Sequence, residues 1–181
     1  MTTAGVITIF GTGKTRPGEP PFEMALELGE RLARAGFTIA NGGYGGTMLA
    51  AAMGAAKAGG RVIGVTCSAF GRGRANEYVT EERQTDSLEK RLATLIELGD
   101  TYVVLPGGTG TLLELAHVWE LKNKHLGGKD KSIVVVGGFW DGLIGLIERA
   151  DEGAGGLLKR ASGPAETVEM LSRRVRQGCC T

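Results

Sequence analysis

The sequence predicts an α/β fold of the three-layer, Rossmann-like kind: a doubly wound parallel sheet with helices on both faces. Three observations predict it. Short strand-like apolar runs alternate with longer helix-like ones along the chain, the pattern of parallel strands joined by crossover helices. Dense glycine clusters follow the first, second and fourth strand-like runs. In such sheets that is the carboxyl edge, where ligands bind. Finally, 42% of the 181 residues are hydrophobic, enough for one core, so residues 1–181 are expected to form a single domain.

The elements follow in order. Val6-Ile7-Thr8-Ile9-Phe10 reads as a buried strand, and a polar, proline-rich loop follows through Pro21. Residues 22–35 place Met24, Leu28, Leu32 and Ala35 at helical spacing, closed by Gly36. Phe37–Ala40 is a second strand, and an alanine-rich helix over about 47–58 stops at Gly59-Gly60. Arg61–Thr66 is a third strand. Cys67–Gln84 reads as a looser segment carrying Gly71-Arg72-Gly73-Arg74. A helix over 86–98 opens on Asp86 with Glu89 three residues later, a capping-box pattern. Thr101–Leu105 is a strand, 111–124 a helix, Ser132–Val136 a strand and 140–150 a helix. A short extended piece near Leu157–Arg160 precedes a helix from Pro164 to about Arg176, and residues 177–181 are expected to be disordered.

Composition excludes several classes. Glycine numbers 31, about 17% against an average near 7%, but without a three-residue period and with only 5 prolines. Collagen-like readings therefore fail. Lys and Arg number 21 against 20 Asp and Glu, so no basic excess points to a nucleic-acid partner. No apolar run is long enough for a membrane span, and the first residues lack a signal-peptide pattern. Three cysteines, Cys67, Cys179 and Cys180, make neither a disulfide framework nor a zinc site. A cytoplasmic protein without metal or organic cofactor is expected.

The glycine loops differ in what they can do. Gly11-Thr12-Gly13-Lys14-Thr15 imitates the end of a Walker A phosphate loop. The earlier glycine of that motif is replaced by Thr8, and the prolines that follow prevent an immediate helix. The loop is still expected to line a ligand through Gly11, Thr12 and Gly13. No Gly-x-Gly-x-x-Gly leads from a strand into a helix, so a dinucleotide fingerprint is absent.

Pro106-Gly107-Gly108-Thr109-Gly110-Thr111 is the strongest signal, because it leads from a strand directly into a helix. Small residues let backbone N–H groups approach a ligand, and the helix start leaves donors unpaired with positive partial charge. Together these suit a phosphate. Thr109 and Thr111 add hydroxyls. The bland reading is a tight turn with Thr111 as N-cap. Glu114 is divided likewise: Thr111-x-x-Glu114 is a capping box, yet a carboxylate one turn from a phosphate site could reach a sugar hydroxyl. Arg91 alone reads as a solvated helix residue; Arg72 and Arg74, in a glycine-flanked loop, read as surface-solvated or else as folding over a bound anion. His117 and His125 are too far apart for a same-face metal pair, and no metal is assigned. Trp119 and Trp140 read as core or interface aromatics.

Pro106–Glu114 resembles the Pro-Gly-Gly-x-Gly-Thr-x-x-Glu signature of the LOG family, whose best-studied members are cytokinin riboside 5′-monophosphate phosphoribohydrolases. Many relatives carry the label "lysine decarboxylase". Asn41-Gly42-Gly43-Tyr44-Gly45-Gly46-Thr47-Met48-Leu49 is similar to the family's second glycine block, with Asn41 and Leu49 standing where the family has glycine. Arg91 stands fifteen residues before the signature proline, at the family's essential arginine, although Leu92 replaces the lysine that follows it. The first loop also differs, Gly11-Thr12-Gly13-Lys14 replacing Cys-Gly-Ser-Ser. The resemblance runs from about Val6 to Arg149.

The resemblance implies cleavage of the N-glycosidic bond of AMP, or of an N6-modified AMP, to free base and ribose 5-phosphate. Arg91 and Glu114 would be catalytic. Gly42, Gly43, Gly46 and Met48 would join Gly107, Gly108, Thr109, Gly110 and Thr111 around the nucleotide. Arg91 is expected to hold the Glu114 carboxyl at a low pKa. The alternative is a non-catalytic carrier of a phosphate-bearing ligand such as a nucleotide or a molybdenum-pterin cofactor. A homodimer is implied, with the helices after the third and fourth strand-like runs, 86–98 and 111–124, at the interface and Met48, Met53, Trp119 and Leu121 as candidate partner-facing residues. Decarboxylation fits poorly: Lys57, Lys90, Lys122 and Lys124 offer no setting for a Schiff base.

Overall fold

A computed structural model describes residues 4–126 and 131–178, without the side chains of 174–178. The strands are β1 Val6–Phe10, β2 Thr38–Asn41, β3 Val62–Cys67, β4 Glu81–Thr85, β5 Thr101–Val104, β6 Ser132–Val136 and β7 Leu158–Ala161. The helices are α1 Pro20–Arg34, α2 Thr47–Lys57, α3 Leu88–Leu98, α4 Thr109–Asn123, α5 Asp141–Ala150 and α6 Pro164–Gly178. Short 3-10 turns cover Ser68–Phe70 and Ala154–Leu157.

All seven strands pair in parallel in the order β4-β3-β2-β1-β5-β6-β7. The chain builds outward from β1 to β4, then returns across β1 to build β5 to β7. β1 and β5 are thus the switch point of a doubly wound sheet, the place where a crevice opens at the carboxyl ends.

Strand alternation feeds two cores, one on each face. Ile7, Ile9, Val103, Leu105, Val134 and Val136 face α1, α2 and α6. Phe10, Tyr102, Val104, Ile133 and Val135 face α3, α4 and α5. Both faces being buried explains why these strands read as continuous apolar runs. The α1–α2 pair is unusually close. A Cβ at Gly29 would lie 2.1 Å from the Ala51 carbonyl oxygen, and one at Gly54 would lie 2.0 Å from that of Leu26. Only glycine permits this backbone approach.

Four sequence expectations are corrected. Glu81–Thr85, read as part of a loose segment, is an edge strand. Helix α1 starts two residues early, because Pro20 and Pro21 occupy its first turn, where a missing N–H costs nothing. The cap of α3 is Ser87, whose hydroxyl accepts from the Lys90 N–H at 3.3 Å; Asp86 instead pairs with the Lys90 ammonium. The last helix runs on to Gly178; Cys179, Cys180 and Thr181, in the tail expected to be disordered, lie outside the described residues.

Candidate functional site

The loops after β1, β2 and β5 meet at the switch point. The first two are tied together: the Thr47 N–H and hydroxyl both donate to the Thr12 carbonyl, at 2.9 and 3.0 Å. A Cβ at Gly11 would collide with the Thr47 hydroxyl at 2.4 Å and approach Leu105 at 3.3 Å. One at Gly46, where φ is +64°, would lie 2.3 Å from the Thr12 carbonyl oxygen. These glycines are demanded by packing between loops. Gly13 is exposed on the same loop, 3.4 Å from Met48 Cε by the same measure. Helix α1 does not follow Lys14 directly, so the loop lacks the geometry of a Walker A motif.

The loop after β2 is braced from within. Asn41 is fully buried; its side-chain oxygen accepts from the Gly43 N–H at 2.8 Å, and its amide donates to the Met48 carbonyl at 3.1 Å. Gly43 takes φ +75°, in the left-handed region. Tyr44 is buried, and its hydroxyl both accepts from the Cys67 N–H and donates to the Cys67 carbonyl.

The loop after β5 leads directly into helix α4. Helix α4 starts at Thr109, with Gly108 as a cap that brings no side chain to the first-turn N–H groups. Gly108, Thr109 and Gly110, at this helix start, are exposed. Trp140 braces the approach, its indole N–H donating to the Leu105 carbonyl at 3.2 Å. Thr111 is not the N-cap. It lies buried inside the helix against Gly107, where a Cβ would sit 2.1 Å from its hydroxyl oxygen. The capping-box reading of Glu114 falls with that correction.

Glu114 turns instead toward Arg91. Arg91 Nη1 and Glu114 Oε1 are 3.6 Å apart, with both side chains nearly closed to solvent. Arg91 is not a solvated helix residue: it is 8% exposed, and its Nε donates to the Val65 carbonyl on β3 at 2.9 Å. Gly42 makes room for it, since a Cβ there would lie 1.8 Å from Arg91 Nη2 and 2.6 Å from Met48 Sδ. The low pKa expected of Glu114 is also corrected. Burial raises its carboxyl to about 7, against the opposing pull of Arg91. Desolvation outweighs one guanidinium at this distance.

Two aromatic rings complete the pair's surroundings. The Arg91 guanidinium lies 5.9 Å from the Tyr44 ring centre and 5.6 Å from that of Phe70. Neither ring was anticipated; the signal available was an aromatic residue inside a glycine block. The arginines of the next loop also part company. Arg74 stands 3.7 Å from Glu82, whereas Arg72 lies over Tyr44 and Phe70 at 5.7 and 5.9 Å. Of the four candidate partner-facing residues, Met48 and Trp119 are buried, while Met53 and Leu121 are partly buried beside the two cores.

Residues 48–163 match the family model described as "Possible lysine decarboxylase". The chain belongs to this family. Members named cytokinin riboside 5′-monophosphate phosphoribohydrolase include one from Mycobacterium tuberculosis, 37% identical over 67% of this chain and 66% of its own length. Another, from Mycobacterium marinum, is 36% identical over 72% of each. The aligned region spans only 57% and 52% of two rice relatives, so the chain covers about half to two thirds of several curated members. A solved structure of the molybdenum cofactor binding protein from Rippkaea orientalis shares the fold, with a TM-score of 0.79, 22% identity and coverage of 97% of this chain and 99% of that one. The family's decarboxylase label finds no candidate lysine among those considered: Lys57, Lys90 and Lys124 are exposed, and Lys122 donates to the Lys131 carbonyl. Among the described residues no His, Cys, Asp and Glu group is arranged to hold a metal, and no helix is long and apolar enough to cross a membrane.

Proposed function

We propose that this chain is a nucleoside 5′-monophosphate phosphoribohydrolase. It cleaves the N-glycosidic bond of AMP or an N6-modified AMP, releasing free base and ribose 5-phosphate. The observation that carries this reading is the buried Arg91–Glu114 pair beside the three glycine loops. Holding a phosphate would require neither residue. The names of the Mycobacterium relatives agree with it.

The 5′-phosphate sits on the N–H groups of Gly107–Thr111 and the start of α4. The exposed Gly13 borders the ribose, and the loop of Gly42, Gly43, Gly46 and Met48 forms the wall behind it, where Gly11, Gly42 and Gly46 make room for the packing of the loops and of Arg91. The C1′–N bond breaks with its electron pair leaving on the base, through an oxocarbenium-like state. Ionised Glu114 holds the ribose hydroxyls, stabilises the developing positive charge and orients the water whose oxygen bonds C1′. A proton from water ends on the base. Arg91, anchored on Val65, fixes Glu114 in place. Incubation with AMP should release adenine and ribose 5-phosphate. No release, with Glu114→Ala behaving like the parent, would overturn the reading; an intact ligand co-purified and never cleaved would favour a carrier.

The unit is proposed to be one domain, cytoplasmic and homodimeric. Leu88 on α3, with Leu112 and Leu113 on α4, is an exposed apolar side chain on the helices expected to meet a partner. The free, buried thiol of Cys67 suits a reducing compartment. Light scattering of the purified chain tests the dimer.

A further inference from the structure

Arg72 differs from the two other arginines beside the crevice, Arg74 and Arg91. Arg74, two residues on, faces Glu82 at 3.7 Å, and Arg91 faces Glu114 at 3.6 Å. Among the described residues Arg72 meets no carboxylate; it lies over the rings of Tyr44 and Phe70. Arg91 lies against the same two rings. Two guanidiniums therefore share one aromatic pair, and only the inner one has a counter-ion.

The loop bearing Arg72 is docked on the glycine loop after β2. At one end, Tyr44 clasps the backbone of Cys67. At the other, Asn76 donates its side-chain amide to the Gly43 and Tyr44 carbonyls at 3.0 and 2.9 Å, and the Ala75 N–H donates to Glu82 at 3.0 Å. Between these anchors the Arg72 side chain reaches toward the first loop, its Nη1 lying 4.0 Å from where a Cβ at Gly13 would sit. Through Gly11 that loop borders Leu105, the residue that follows β5 and precedes the Pro106–Thr111 segment.

The cradle Gly107–Thr111 offers only neutral donors. A phosphate monoester carries close to two negative charges at neutral pH, and Arg91 is committed to Val65 and Glu114. We infer that Arg72 is a phosphate-contacting residue, supplying the guanidinium that the backbone cradle lacks. This rests on the reading above that the ligand is a phosphate monoester. Placed over Tyr44 and Phe70, its guanidinium fork can make paired hydrogen bonds to phosphate oxygens.

The test is titration calorimetry of ribose 5-phosphate with the parent chain, Arg72→Ala, Arg72→Lys and Arg74→Ala. AMP hydrolysis is assayed on the parent in parallel. The expected result is that Arg72→Ala weakens ribose 5-phosphate roughly ten- to a hundredfold. Arg72→Lys should recover part of the loss, and Arg74→Ala should change affinity less than twofold. Equal effects of Arg72→Ala and Arg74→Ala, or none from either, would overturn the assignment, as would a parent that does not bind ribose 5-phosphate. A parent that binds ribose 5-phosphate but leaves AMP intact would instead sink the hydrolase reading, while the affinities still decide Arg72. Both arginines sit in an exposed loop, so circular dichroism of the variants should match the parent.

Discussion

Arg91 holds its guanidinium 3.6 Å from the Glu114 carboxylate, in a setting closed enough that burial lifts the carboxyl to about 7. A group poised there changes charge across neutral pH. The ionised form is the one that stabilises an oxocarbenium-like state. kcat/KM for AMP should therefore rise with pH and level off above about 7. Glu114→Gln should lose about a hundredfold or more in rate and lose this rising limb. A parent profile flat from pH 5.5 to 8.5 would count against ionised Glu114 as the working form.

The same pKa has a consequence for stability. The folded-state value lies above the ordinary value of 4.5. Between the two, the folded chain holds a proton that the unfolded chain has released. The contribution of this group is full below about 4.5, declines as pH rises and is gone above about 7, a change of at most about 3 kcal/mol. Glu114→Gln removes the titration. Its melting temperature relative to the parent should move upward between pH 5 and pH 8. An unchanged difference at the two pH values would show that burial does not control this carboxyl.

Gly42 separates catalysis from folding. No positive φ is imposed on it, so alanine can adopt its backbone. The added Cβ would meet Arg91 Nη2 and Met48 Sδ, the ends of two side chains. Gly42→Ala should fold with a loss of about 1–3 kcal/mol while displacing Arg91 and abolishing most AMP hydrolysis. Gly54→Ala should do the opposite. Its Cβ would strike the backbone carbonyl of Leu26, which cannot swing aside, so stability should fall by more while the folded fraction keeps its rate. Denaturant melts with activity per folded molecule distinguish the two.

Much of this fold was legible because parallel strands buried on both faces are apolar throughout. Edge strand β4 was not, since Glu81-Glu82-Arg83-Gln84-Thr85 pairs only with β3 and carries charge along its length. Charged side chains suit an edge, where they discourage further pairing, and they erase the hydrophobic signal. The glycine loops could be located from spacing, but Arg91 and Glu114 could be singled out only through the family resemblance. A helical arginine ordinarily looks solvated, and a Thr-x-x-Glu pattern ordinarily looks like a cap. Which applies depends on where α4 starts, and Gly108 rather than Thr111 starts it. The shared rings of Tyr44 and Phe70 depend on a loop docking 23 residues apart at Tyr44 and Cys67, which local pattern does not encode.

Asn41 marks the place where this chain departs from its family's glycine, and the structure gives the departure a role. Its buried amide accepts from the Gly43 N–H and donates to the Met48 carbonyl, spanning the loop that makes room for Arg91. Asn41→Gly restores the family residue but leaves both backbone groups without these partners. The loss should be about 1–3 kcal/mol, with a raised KM for AMP because the loop loosens. Asn41→Asp keeps the acceptor, removes the donor and introduces a buried charge, so it should be worse than glycine. Thermal melts and steady-state kinetics of the two variants check this order. If glycine proved harmless to both, the brace would be incidental and the loop would hold its shape through the bonds of Thr47 to Thr12 and of Asn76 to Gly43 and Tyr44.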